Sequence, residues 1–250
     1  MSSPSNQRLH RIDLLRAVAM LWMTAFHFSF DLDHAGLIQQ DFYRDPFWTG
    51  QRTAIVSLFL FTAGLSQAVA LSQGQSWSRF WTRWAQVAGA ALLVTGGSML
   101  MFPNSFIYFG VLHGIALMLI VVRLTAGWGR WLWPLGALAI AAKFAAPPLM
   151  AAVPALEVFN TPWLNWLGLI NRLPITEDYV PLLPWLGVMW WGAAAGQWAL
   201  HQRPHWLGTA HDRATGLERA LATLGRWSLS YYLLHQPVLI ALVSLLAALV

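Results

Sequence analysis

One stretch of this sequence spaces its ionisable side chains as a helix would. Arg16 and His27 lie eleven residues apart. Eleven steps of 100° return to within about 20° of the starting direction, so the two side chains share a face. Asp13 and Asp31 fall on the same stripe, with Met20 and Met23 between them. Three more segments carry polar groups among apolar ones. His113 sits in Gly110-Val-Leu-His-Gly114. Asp178 and Tyr179 sit in the proline-stiffened run Thr176-Glu-Asp-Tyr-Val-Pro181. His235 and Gln236 sit just before Pro237. Histidine titrates near neutrality, so these residues could serve as an acid or base in catalysis. The same residue types also serve as relay groups in a proton-coupled transporter or as paired axial ligands of a haem. With no Cys, thiolate metal sites and cysteine nucleophiles are excluded.

The elements that must position these groups follow from composition. Hydrophobic residues make up 57% of the 250 and charged residues only 10%, against about 25% charged in an ordinary soluble domain. Sixteen residues are Trp. Such a chain cannot furnish a charged shell, and it is too apolar to be disordered. The net charge of +5 does not mark a nucleic-acid binder, because no basic helix with interleaved aromatics, zinc-finger or RNP pattern is present. The expected fold is all-α, a polytopic membrane helical bundle formed by one domain over residues 1–250.

Apolar runs of roughly 20 residues predict seven spans. They cover about Ile12–Phe30, Thr53–Leu71, Arg83–Phe102, Phe109–Leu124, Trp131–Leu149, Leu182–Leu200 and Trp227–Val250. The fifth is expected to stop near Pro147-Pro148. The first reads as an uncleaved helix, since its apolar run is long and no small-x-small site precedes Asp31. Segments 33–50 and 156–172 could each hold a short interfacial helix, and 201–220 reads as a cytoplasmic loop. Placing the N-terminus inside puts eleven Arg (8, 11, 16, 79, 83, 123, 130, 203, 213, 219 and 226) in cytoplasmic segments, against Asp13, Asp212 and Glu218. The outer segments hold four basic residues against seven acidic ones. Such a positive-inside bias predicts a cytoplasmic N-terminus, an outer C-terminus and an odd number of spans. Trp clusters at 77–84, 128–133 and 198–206 fall where the cytoplasmic interface should lie.

A buried ionisable group in a membrane needs a partner, and a shared polar cavity would supply partners for all of these at once. On the stretches Arg11-Ile-Asp-Leu-Leu-Arg16 to His27-Phe-Ser-Phe-Asp-Leu32, Phe59-Leu-Phe-Thr-Ala-Gly-Leu-Ser66, Gly110-Val-Leu-His113, Asp178-Tyr-Val-Pro-Leu-Leu-Pro-Trp185 and Ser228-Leu-Ser-Tyr-Tyr-Leu-Leu-His-Gln-Pro237, the chain resembles bacterial relatives of the heparan-α-glucosaminide N-acetyltransferase catalytic domain. These belong to a wider superfamily of transmembrane acyltransferases.

The resemblance implies transfer of an acetyl or other acyl group from cytoplasmic acyl-CoA to a glycan or amino-sugar acceptor on the outer side. The donor is a substrate, and no bound cofactor or metal is expected. By the same carry-over, the Arg-x10-His spacing of Arg16 and His27 makes His27 the general base and Arg16 the group that fixes the donor. His34 is the alternative base, because the heparan enzyme's own active His is placed in the loop after this helix. The expected chemistry has Asp31 orienting the His27 ring and His113 or His235 donating to the oxyanion or binding the acceptor. Asp178, Tyr179 and Gln236 complete the expected binding residues. The expected partners are acyl-CoA, the acceptor and the lipid bilayer of a bacterial inner membrane, with no nucleic acid.

Overall fold

The structure, a computed structural model, describes residues 10–203, 206 and 215–249. It is helical, and no strand is present among the described residues. Eight α-helices follow in order: α1 His10–His34, α2 Pro46–Ser72, α3 Trp77–Met101, α4 Val111–Thr125, α5 Leu132–Ala152, α6 Leu182–Gln202, α7 Gly216–Arg226 and α8 Ser228–Ala247. A 3-10 segment, Ala126–Trp131, joins α4 to α5, and Gly129 takes a positive φ of 55° within it. Two further 3-10 turns, Pro154–Asn160 and Asn165–Leu167, lie between α5 and α6. They occupy one of the two segments considered for an interfacial helix. Arg8, Asp212 and Arg213, which contribute to the charge asymmetry, lie outside the described residues.

By length and composition, four helical runs among the described residues are able to cross a membrane: Pro46–Ser72, Trp77–Met101, Val111–Ala152 and Ser228–Ala247. The third is 42 residues long and contains both α4 and α5. The difference from seven has a physical source. Arg16, His27 and Asp31 dilute the hydropathy of α1, and Gly, Trp and Gln dilute that of α6. Two boundaries differ from expectation. α5 continues through Pro147 and Pro148 to Ala152; each proline removes one ladder hydrogen bond, but its fixed φ is compatible with a helix. Residues 216–226 are a helix and not loop, because Thr215 and Glu218 form a reciprocal cap. Thr215 N donates to Glu218 Oε2 at 2.7 Å and Glu218 N to Thr215 Oγ1 at 3.2 Å. Trp77, Trp81, Trp128, Trp131, Trp133, Trp198 and Trp206 are exposed, as side chains at a lipid interface must be.

The chain divides into two compact units, Met1–Phe59 with Pro204–Val250, and Leu60–Arg203, with the boundary inside α2. In the first unit, α7 and α8 both pack on α1. A core of Met23, Phe26, Phe42 and Ile55 is flanked by Phe30, Trp48, Phe59 and Tyr232. Thr24 meets Tyr231, His27 meets His235 and Asp31 meets Gln236. Both numbers of each pair rise together, so α1 and α8 run parallel.

In the second unit α6 is the hub, with α4 and α5 packed on it and α3 packed on α4. The backbones approach closely where side chains are absent. A Cβ on Gly192 would lie 2.0 Å from the Phe61 carbonyl oxygen, and one on Gly64 would lie 2.0 Å from that of Met189. Small residues serve membrane helices in this way because close backbone packing replaces the hydrophobic drive that lipid cannot provide. Gly64, which lies in one of the stretches that carry the resemblance, is thus a packing residue. The loop after α5 is tied by Glu157, which accepts from Arg172 at 2.5 Å, Asn160 at 3.2 Å and Asn171 at 3.3 Å. The hydrogen bond from Asn171, then that from Arg172, holds its carboxyl below the usual range.

Replacing Gly192 with Val is expected to destabilise the second unit by ~1–3 kcal/mol, the usual cost of overpacking. Gly97→Ala, in open space on α3, is expected to leave stability nearly unchanged. Thermal unfolding in detergent, followed by circular dichroism, checks the pair.

Candidate functional site

The stripe on α1 finds its partners on α8. Their contact is a polar seam of three rungs. Thr24 Oγ1 donates to the Met20 carbonyl at 2.8 Å, so at the 2.7 Å contact with Tyr231 the tyrosine hydroxyl is the donor. One turn on, His27 Nδ1 lies 2.9 Å from His235 Nε2, with the rings inclined by 15°. Next, Gln236 Nε2 donates to both Asp31 oxygens, at 2.9 and 3.1 Å. The orienting role expected of Asp31 therefore does not match this geometry. The group that faces the His27 ring is His235, and the Asp31 carboxylate is held by Gln236. Both Asp31 and His235 are buried. Gln236 Oε1 is also buried and has no hydrogen-bond partner among the described residues. A buried acceptor left without a donor costs about 1–3 kcal/mol, so this atom is a place where a ligand N–H or O–H would be favoured.

Aromatic rings wall the seam. Phe26 contacts His27 edge-on at 5.9 Å and also packs on Phe42 and Trp48. Tyr231 and Tyr232 flank His235 at 6.0 and 5.6 Å. His34 is the last residue of α1, exposed, with its ring against Phe30 at 6.5 Å. Of the two candidate bases, only His27 has a second imidazole within hydrogen-bonding distance. The two axial nitrogens of a haem, on opposite sides of the iron, would stand about 4 Å apart at ~2 Å per bond, so the 2.9 Å contact is not that of a pair of axial ligands with an iron between them. Among the described residues, no group of three or more His, Asp or Glu could hold a metal.

Arg16 lies toward the other end of α1, about 16 Å from His27 along the axis at 1.5 Å per residue. It pairs with Asp13 at 2.6 Å. Asp13 is buried where α7 closes on α1, and a Cβ on Gly225 of α7 would lie 1.9 Å from the Asp13 carbonyl oxygen.

The second unit holds the other expected residues, and each is committed to the protein. Thr95 Oγ1 gives its proton to the Ile107 carbonyl at 2.8 Å, so it accepts from His113 Nε2 at 3.0 Å. His113 Nδ1 then accepts from Gly110 N at 3.3 Å. Both ring nitrogens are used, which leaves none for an oxyanion. Asp178 Oδ2 accepts from Val111 N at 2.7 Å and so caps α4 from a distant loop. Gly110 permits this, since a Cβ there would lie 2.3 Å from that oxygen. The Tyr179 hydroxyl donates to the Asn165 carbonyl at 2.6 Å, and Asn165 Nδ2 donates to the Tyr108 hydroxyl at 2.7 Å. Burial pushes the Tyr179 phenol up, and the neighbouring Tyr108 adds to this. Burial raises Tyr108 too, against the opposing hydrogen bond from Asn165. Both phenols therefore stay protonated.

Sequence reasoning missed Tyr108, Asn165 and Tyr231. The first two carried no motif. Tyr231 lay within the quoted run before Pro237, four residues from His235, a spacing that already placed it on the same face.

A family model described as heparan-alpha-glucosaminide N-acetyltransferase, catalytic, matches residues 8–237 of the 250. No curated protein and no solved structure matches the chain.

Asp178→Ala is expected to remove the cap from α4 at a cost of ~1 kcal/mol. The measurement is hydrogen exchange at the Val111 amide together with the melting temperature. Faster exchange at Val111 with the α5–α6 core still protected is the expected pattern.

Proposed function

The chain belongs to the family of the heparan-alpha-glucosaminide N-acetyltransferase catalytic domain, and from that membership we propose that it is a membrane acyltransferase moving an acetyl or other acyl group from cytoplasmic acyl-CoA to a glycan or amino-sugar acceptor on the outer side. The observation that carries the reading is the polar seam between α1 and α8, in which the His27 imidazole pairs with His235 beside a buried carboxylate. A bilayer span does not retain such groups without use.

In this reading His27 takes the proton of the acceptor amine or hydroxyl as its lone pair attacks the acyl carbonyl carbon. The C–S bond breaks, and the thiolate leaves toward the cytoplasm and takes up the proton. Asp31 and Gln236 hold the acceptor, with Gln236 Oε1 receiving an N–H or O–H. Arg16 steadies the donor from the cytoplasmic end of α1, and the ~16 Å offset suits a pantetheine arm reaching inward. His113, Asp178 and Tyr179 shape the outer segments before α4 and α6, without touching the reacting atoms.

The proposed topology has seven spans, with the N-terminus cytoplasmic and the C-terminus outside, in a bacterial inner membrane. Two observations favour it. Positive residues crowd the segments assigned to the inside. Parallel α1 and α8 require an odd number of crossings if both span.

The test is thioester consumption. Protein in nanodiscs receives acetyl-CoA with a panel of amino sugars and glycans, and free thiol is followed. Wild type is expected to release CoA only with an acceptor present, and folded His27→Ala to lose about 100-fold or more of kcat, the usual worth of a general base. Full transfer by His27→Ala would overturn the assignment of the base. Release by no acceptor, together with substrate uptake into liposomes without acyl-CoA, would overturn the acyltransferase reading in favour of transport.

A further inference from the structure

Four atoms stand in line across the seam: the Tyr232 carbonyl oxygen, His235 Nδ1, His235 Nε2 and His27 Nδ1. The first gap is 2.7 Å and the last 2.9 Å. The chemistry of each atom fixes where the protons lie. A peptide carbonyl only accepts, so His235 Nδ1 carries a proton. A neutral imidazole carries one proton, so His235 Nε2 is a bare lone pair. That lone pair accepts across the 2.9 Å contact, so His27 Nδ1 is the donor. The single proton of neutral His27 is therefore on Nδ1, and its Nε2 is bare.

We propose that His235 is the positioning residue for His27: anchored on the carbonyl of its own helix, it holds His27 in the Nδ1–H tautomer and so keeps Nε2 free as the base. The proposal rests on the acyltransferase reading for the reaction it serves, but not for the proton positions.

The surroundings of His235 fit this task. Its ring lies parallel to that of Tyr231, 6.0 Å away and inclined by only 6°. Tyr231 is fixed in turn by its hydroxyl on Thr24. Tyr232 closes another side. Pro237 lacks the N–H that would otherwise bond the Leu233 carbonyl, which loosens the turn onto which the His235 ring folds back. A carboxylate at 235 could also accept from His27 Nδ1, but it would bring a net charge into a span. A histidine offers a neutral acceptor on one nitrogen and, on the other, a donor that ties it to its own backbone.

During transfer His235 keeps its proton on Nδ1. The acceptor's proton passes to His27 Nε2 as the new bond to the acyl carbon forms. The departing thiolate takes that proton from Nε2, and the Nδ1 proton of His27 never leaves its hydrogen bond. Each turnover returns both rings to their starting tautomers.

The protein holds its own reference. By the same reasoning His113 is the opposite tautomer, with Nε2 protonated toward Thr95 and Nδ1 bare. The experiment is nitrogen NMR of 15N-histidine-labelled protein in nanodiscs, with assignment by single substitutions. In wild type, His27 and His235 are expected to show protonated Nδ1 and bare Nε2, and His113 the reverse. His235→Phe removes the acceptor, so His27 should shift toward the Nε2–H form. His235→Gln supplies an amide oxygen in its place and should restore the Nδ1–H form. In the acyl-transfer assay kcat should fall at least tenfold in His235→Phe and recover for the most part in His235→Gln, with KM for the donor unchanged.

A wild-type His27 with a protonated Nε2, or a tautomer that ignores His235→Phe in folded protein, overturns the proposal. If wild type transfers no acyl group and takes substrate into liposomes without acyl-CoA while the tautomers follow the expected pattern, the acyltransferase reading fails and the positioning role stands.

Discussion

Inside a bilayer there is no water to complete a hydrogen bond, so every polar atom placed there must find its partner in the protein. In the proposed topology this constraint governs the first unit. α1 carries Thr24, His27 and Asp31 down one face, and α8 brings Tyr231, His235 and Gln236 to meet them. Each helix has a polar stripe that lipid would penalise and that the other satisfies. Parallel alignment follows from matching three rungs in order. The aromatic wall of Phe26, Phe42 and Trp48 follows from the need to keep the rest of α1 dry. Among the described residues of this unit, one buried side-chain atom breaks the rule, Gln236 Oε1, and it lies beside the carboxylate of the seam.

The second unit answers the same constraint differently. Its helices have few polar groups to match, so they are joined by closeness. Gly64 and Gly192 let α2 approach α6, and Gly136 and Gly187 do the same for α5 and α6. Two of its polar side chains are spent on a helix terminus. His113 and Asp178 both serve the start of α4, whose first N–H groups would otherwise have no acceptor. The two units are thus held by two kinds of adhesive, hydrogen bonds between α1 and α8 and absent side chains around α6.

The apolar runs of the sequence correspond to α1–α6 and α8, with ends displaced by a few residues, because a twenty-residue hydrophobic stretch has few alternatives to a helix. The shared face of Arg16, His27 and Asp31 was legible from helical geometry alone. The partners were not: His27 and His235 are 208 positions apart, and no local period reports a contact of that range. α7 was hidden for another reason. Its polar composition matched a loop, although Thr215 and Glu218 at cap spacing announced a helix start. Asp178 and Tyr179 looked like ligand-binding groups because they are acidic and aromatic. Only the fold reveals that the carboxylate closes on Val111 N and the phenol on Asn165.

The joining of α1 and α8 also sets an order of assembly. Thr24, His27 and Asp31 are synthesised some two hundred residues before Tyr231, His235 and Gln236, an interval of roughly 10–40 s at bacterial or eukaryotic elongation rates. Throughout that time α1 has no α8 to match its polar stripe. The seam is completed only when the ribosome has made α8. A chain truncated before α8 thus leaves the polar stripe of α1 unmatched.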